Sequence, residues 1–198
     1  MPSASSTPPA QFDLLLRDAM ILSADPAQPL IRGGWLGITD GRISWLSATA
    51  PEQPRATRTL SLQDRIITPG FVNTHLHAIL VMVRGVAADL GFAPSYTPGI
   101  PKGTQVNPEQ ARALARLGAL EALLAGSTVI GDNFVHADLS TEAMAELGMR
   151  LCPSWRIHDV DFARVAHGDW HHDPSIGTRT LQAGLDLLER WKDHPRVR

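Results

Sequence analysis

The residues best equipped for chemistry are His75 and His77, which close the run "TPGFVNTHLH" at positions 68 to 77. On a β-strand, positions i and i+2 share a face, so this spacing aims two imidazoles at one point. Neutral imidazole is a good ligand for divalent transition metals, so a strand ending in His-x-His offers two donors to one ion. With 8 histidines among 198 residues, such a pair also arises by chance, and its surroundings must decide. Further candidates follow the next two apolar runs. Asp132, Asn133 and His136 lie after "STVIG", and His158 and Asp159 after "RLCPSWRI". Residues at the carboxyl end of a parallel strand can face a ligand; they can equally cap a helix or sit in solvent. The densest His and Asp cluster, "HGDWHHD" at 167 to 173, has no strand or helix spacing and reads as a surface loop, although short His-rich tracts can bind metal. Cys152 sits inside an apolar strand, where a thiol behaves as a small buried residue rather than a nucleophile.

The elements that must position these groups form a recognisable order. From Phe12 to Ile67 the chain predicts a small β-structure: "FDLLLRDAMIL" is apolar with polar breaks, and "WLGITDGRISWLS" sets two strand-like runs around Asp40-Gly41, a strong hairpin signal. Trp35 and Trp45 fit a core or sheet face there. The prolines and polar residues of "ATAPEQPRATR" mark a loop. From Thr68 the rhythm changes to alternating buried strands and helices. "FVNTHLH" is a strand. The spacing of Asn107, Pro108 and Gln110 predicts a capping box and a helix to about Ala125, stopped by Gly126. "STVIGD" is a second buried strand, Ser140 caps a second helix ending near Gly148, and "RLCPSWRI" is a third strand. Leu181, Leu185 and Leu188, at i, i+4 and i+7, mark a third helix ending near Trp191. Strand and helix in alternation imply βαβ units and a parallel sheet.

Composition narrows the function. The chain is 43% hydrophobic and 19% charged, which suits a folded core. Its longest apolar run, the six residues Ala78 to Val83, falls far short of the ~20 that span a bilayer, so no membrane partner is expected. Residues 1–11 read as a disordered tail without signal-peptide character, and the expected address is the cytoplasm. A single cysteine fits a reducing compartment. A net charge of −2 with scattered Lys and Arg gives no footprint for nucleic acid. A small-molecule substrate is the remaining partner class.

The string "TPGFVNTHLH", the following Arg84-Gly85 and the later "GSTVIGDN" resemble the amidohydrolase superfamily, in the branch of cytosine and guanine deaminases, adenosine-type deaminases and triazine chlorohydrolases. The resemblance implies an α/β fold: the N-terminal part of a (β/α)8 TIM-like metal-dependent hydrolase barrel, preceded by a small β-sandwich segment. Residues 12–67 would be the sandwich segment and 68–198 the first three βα units of an incomplete barrel. A closed barrel needs ~250 residues, whereas roughly 130 follow position 67, so the chain is expected to be a truncated part. "HPRVR" at the end then looks like the entry to a fourth strand.

By the same resemblance, His75 and His77 are metal ligands for one divalent ion, zinc or iron, and Asn73 stands where two-metal relatives carry an aspartate. The remaining ligands and the acid-base residues would come from later strands, so the catalytic residues are not expected in this chain. The implied reaction is hydrolysis of a carbon-nitrogen bond other than a peptide, with metal-activated water displacing an amine from an aminated heterocycle. A chlorohydrolase releasing chloride, or a non-catalytic or incomplete relative, are the alternatives. His136, His158 and Tyr96 are weaker candidates for substrate contact, Tyr96 because the Pro-rich loop around it would enclose substrate, and Arg84 is expected to anchor a loop. Full-length relatives are expected to be homo-oligomeric.

Overall fold

A computed structural model describes residues 11–86 and 98–198; Tyr96 lies outside them. The chain divides into two compact units at Pro69 and Gly70. In the first, β1 (Phe12–Leu22), β2 (Leu30–Thr39), β3 (Arg42–Ser47) and β4 (Ala56–Ser61) form a sheet in the order β3-β2-β1-β4, and the short β5 (Ile66–Ile67) also pairs with β1. The sheet is mixed: β1–β2 and β2–β3 run antiparallel, β1–β4 and β1–β5 parallel. The hairpin falls at Asp40-Gly41 as expected. Both residues have positive φ, 51° and 68°, which is the turn whose twist matches that of the flanking strands. The Asp40 amide donates to Asp13 Oδ2 at 2.7 Å, fixing the turn to β1. Alternation buries Leu15, Ala19, Ile21, Ile31 and Leu36, and both tryptophans are half-buried on the sheet.

In the second unit, β6 (Phe71–Leu76), β7 (Ser127–Phe134), β8 (Arg150–Leu151) and β9 (Ser154–Trp155) pair in parallel, with β7 central. The helices between them are α1 (Pro108–Leu124), α2 (Ala137–Glu146), α3 (Phe162–Val165) and α4 (Pro174–Trp191), and a 3-10 turn spans Ala78–Val83. The capping box of α1 forms in full: Gln110 N–H donates to Asn107 Oδ1 at 2.9 Å, and Asn107 N–H to Gln110 Oε1 at 3.0 Å. The helix closes at Leu124, and Gly126 takes φ 91° beyond it. Its inward face is made of small residues, Ala111, Ala115, Gly118, Ala119 and Ala122, all buried. Small side chains let the helix axis come close to its neighbours. A Cβ added at Gly118 would lie 2.5 Å from the Ala78 carbonyl oxygen. Arg84 behaves as the anchor expected: its guanidinium pairs with both carboxylate oxygens of Glu121 on α1.

Four features differ from the expectations. The second helix starts at Ala137, three residues before Ser140, with His136 at its N-cap in the left-handed region; Ser140 instead turns its hydroxyl to a buried carboxylate. The third strand is split into β8 and β9 around Pro153, because proline supplies no N–H to the ladder. Cys152 is exposed: alternation sends Leu151, 1% exposed, into the core and its neighbour to the opposite face. Finally, Leu181, Leu185 and Leu188 do lie on a helix, yet all three are exposed. The sheet takes the adjacent flank, with Leu187 and Thr180 buried and the Thr180 hydroxyl donating to the His158 carbonyl at 2.8 Å. Leucine spacing marks the helix but does not say which flank meets the strands. The fourth-strand entry is present: Leu151 and Val197 form a parallel bridge, and Val197 is buried in the same core.

The close approach at Gly118 makes a signed prediction. Helix propensity alone has Gly118→Ala stabilising by about 1 kcal/mol, whereas forcing a methyl against a backbone oxygen costs about 1–3 kcal/mol. Urea unfolding is expected to show net destabilisation; a more stable variant would contradict the packing.

Candidate metal centre

The site begins with a register fault. Asn73 pairs with Ile130 and Leu76 with Asp132, so three steps on β6 oppose two on β7. The extra residue is a bulge, which bends a strand and re-aims its side chains. Two groups accommodate it. A Cβ at Gly131 would stand 2.7 Å from the Thr74 carbonyl oxygen, so only glycine admits the bulged backbone there. The Asn73 side chain accepts from the His75 amide at 3.3 Å, a local turn inside the strand.

Beyond the bulge the two rings converge. His75 Nε2 and His77 Nε2 are 3.3 Å apart, with ring centroids at 4.7 Å and planes at 70°. Two nitrogens at that distance either share a proton or share a cation. For tetrahedral zinc, Zn–N bonds of about 2.0–2.1 Å place two ligating nitrogens about 3.3–3.4 Å apart, so the pair fits a common ion. His75 is exposed and His77 half-buried. Burial, and then the neighbouring His75, push the His77 pKa below its ordinary value, outweighing the opposing pull of the Asn133 backbone and Asp132. A neutral ring keeps its lone pair for a metal. His77 Nδ1 is buried on the side where the Asn133 backbone acts on the ring, and the Phe134 ring lies against the imidazole at 5.1 Å between centroids.

Asp132 was a lesser candidate for touching substrate, but it faces the other way. Its side chain shares the core-facing side of β7 with Ile130 and Phe134 and is 1% exposed. Oδ1 accepts from the Ala78 amide at 2.9 Å and Oδ2 from the Ser140 hydroxyl at 2.8 Å. Burial pushes its pKa up, against the lowering effect of those two donors and of His77. The carboxylate therefore links β7, the turn after His77 and α2. Nothing in residue type alone marked this role; the signal was an acidic residue at an inward position of an apolar strand, where a carboxylate must find donors.

The remaining candidates scatter. Asn133 donates from Nδ2 to Ser154 Oγ at 2.9 Å, joining β7 to β9. His136 begins α2, with Nε2 buried and unpartnered. The His158 ring packs on Phe162 and makes a 3.0 Å Nδ1 contact with the Arg156 carbonyl. In the 167 to 173 cluster, Asp173 caps α4, and His172 Nδ1 lies 3.1 Å from Asp159 Oδ2, both side chains exposed. Among the described residues, no group of three or more His, Cys, Asp or Glu is arranged to hold a metal. The two convergent imidazoles of His75 and His77 therefore have no third such donor beside them among the described residues.

The Amidohydrolase family model matches residues 66–179, more than half of the chain. The chain belongs to the amidohydrolase family. Curated relatives include a 5-methylthioadenosine/S-adenosylhomocysteine deaminase of Nitratidesulfovibrio vulgaris, 30% identical over 94% of this chain and 41% of the relative. A 5'-deoxyadenosine deaminase of Methanosarcina mazei is 30% identical over 91% of this chain and 39% of the relative. Among solved structures, a zinc-bound adenosine deaminase from Xanthomonas campestris superposes with a TM-score of 0.74 at 23% identity, over 96% of this chain and 42% of that one. The zinc-complexed atrazine chlorohydrolase of Arthrobacter aurescens gives 0.69 at 19%, over 93% and 45%. The chain thus has the fold of part of an amidohydrolase TIM barrel and spans about two fifths of the length of the curated relatives it matches. Among the described residues, no helix of this amidohydrolase chain is long and apolar enough to cross a membrane.

The His77 shift sets a pH signature. A histidine held below its ordinary 6.5 binds fewer protons folded than unfolded, so stability rises with pH through the interval between the two values and is lost on acidification below about 6.5. Asp132, shifted upward, acts in the opposite sense and starts from the ordinary carboxylate range. Urea midpoints measured from about pH 7.5 down to about pH 5.5 are expected to fall for the parent chain and to fall less for His77→Phe; parallel curves would remove His77 from the acid limb.

Proposed function

We propose that this chain contributes the first two metal ligands, His75 and His77, to a metal-dependent amidohydrolase that removes an amino group from an aminated heterocycle. The observation that carries the reading is the 3.3 Å approach of the two Nε2 atoms at the end of β6. The ion is zinc or iron, as a single centre, and the spacing of the pair matches tetrahedral zinc. When bound, such an ion acidifies water to near neutral pKa and so supplies a nucleophile for an electron-poor ring carbon. The chain's own residues bind and orient: His75 and His77 present lone pairs, the β6 bulge opposite Gly131 aims them, and Phe134 backs one ring. The substrate class is taken from the curated relatives at 27–30% identity, which are named as deaminases of adenosine-type compounds. The chlorohydrolase likeness lies below 25% identity and bears on the fold alone.

A catalytic zinc takes three protein ligands and a water, and the pair supplies two. The 198-residue chain is therefore expected to bind zinc reversibly, to lose it on dialysis, and to release no ammonia from adenosine or 5'-deoxyadenosine. Zinc titration followed by the histidine ring resonances should shift His75 and His77 together, and either single alanine substitution should abolish both shifts. A polypeptide carrying this chain together with a further histidine and aspartate ligand set is expected to release ammonia from those nucleosides. Chloride release from a chlorinated triazine without ammonia release would overturn the deaminase assignment, and zinc retained stoichiometrically by the chain alone would overturn the half-site.

A further inference from the structure

We infer that Asp132 is a positioning residue for the metal pair: by holding the 77–78 peptide in one plane, its buried carboxylate sets the direction in which His77 presents Nε2. The inference rests on the reading of His75 and His77 as metal ligands. Metal-bound histidines are ordinarily oriented through their second ring nitrogen, which donates to a carboxylate or carbonyl. For His77 the second ring nitrogen, Nδ1, is buried, and the group that pulls on the ring from that side is the Asn133 backbone and not a carboxylate. A ring contact sets the rotation of the imidazole, and the direction of the Cα–Cβ bond that carries it is left to the main chain.

The backbone supplies it. The peptide group between His77 and Ala78 is held at both ends: the His77 carbonyl accepts from the Leu80 amide at 2.9 Å, and the Ala78 amide donates to Asp132 Oδ1 at 2.9 Å. With that plane fixed on one side and the β6–β7 register fixing Leu76 opposite Asp132 on the other, the Cα–Cβ bond of His77 has one direction. Phe134, two residues along the same face of β7, then limits rotation of the ring. Asp132 is itself held by the Ser140 hydroxyl at 2.8 Å, so the fixed point belongs to the core of β7 and α2.

The test uses the 198-residue chain with zinc ion as the only probe, affinity being read from the His75 and His77 ring resonances and fold from far-ultraviolet circular dichroism. Asp132→Leu fills a similar volume without an acceptor and is expected to weaken zinc binding about ten- to a hundredfold, the range for lost partners of metal-bound histidines. Asp132→Asn keeps a carbonyl oxygen for the Ala78 amide and should remain within about threefold of the parent, a rescue that a purely structural role would not produce. Equal affinity in Asp132→Leu overturns the inference while leaving the metal pair intact. An asparagine variant as weak as the leucine one also overturns it, since charge and not peptide geometry would then govern. Where Asp132→Leu does not fold, Ser140→Ala, which removes one of the carboxylate's two donors, should weaken zinc binding several-fold, and no change there is again contrary. A parent chain that shows no zinc response overturns the metal reading itself, and the inference with it.

Discussion

A carboxylate excluded from water demands donors, and the second unit is organised around how Asp132 finds them. A buried polar group without partners is costly, and the two donors available come from different elements, the Ala78 amide at the start of the 3-10 turn and the Ser140 hydroxyl on α2. Satisfying those oxygens therefore joins β7 to both neighbours at the level of the strand ends. Around that point the small-residue face of α1 closes over Ala78 and Ile79, and Met144, Met149 and Leu151 complete the core. The surface ion pairs between α1 and α2, Arg112 with Glu142 and Arg116 with Glu146, add little by comparison because both are partly exposed.

The histidine pair is a product of this arrangement rather than a feature added to it. A regular strand would present positions 75 and 77 on one face; here the bulge adds a residue between Asn73 and Leu76, and the rings still converge because the chain leaves the ladder at Leu76 and turns. Convergence thus depends on backbone groups with no side-chain chemistry of their own. Gly131 makes room for the Thr74 carbonyl, and Gly118 makes room for that of Ala78. Both glycines are required by close approach of a backbone oxygen, so the geometry of the histidine pair is written into positions that carry no imidazole.

Much of this was legible in the sequence where local chemistry decides. The capping box at Asn107 and Gln110, the left-handed turn at Asp40-Gly41, the strand ending in His-x-His and the strand entry at Val197 all follow from neighbouring residues. Longer-range choices were not legible. Leucine spacing predicted α4 but not that Thr180 and Leu187, instead of Leu181, Leu185 and Leu188, would meet the sheet. Ser140 has the side chain of a helix cap, and only its distance to Asp132 in space shows why it lies within α2. The apolar neighbours of Cys152 imply burial, whereas alternation at a strand broken by Pro153 places it on the open face. In each case the missing information was which face a neighbour occupies.

The contact between Gly118 and Ala78 has a thermodynamic reach that its size conceals. The helix that packs there and the peptide that aims His77 meet backbone to backbone, so order in one is order in the other. Free energies linked in this way are reciprocal. Whatever part of the order in the turn after His77 depends on α1 is matched by an equal dependence of α1 on the turn, and a substitution that loosens α1 far from any ligand is felt at the rings to that extent. The amidohydrolase half-site is, in that sense, a gauge of how well the helix beside it is packed.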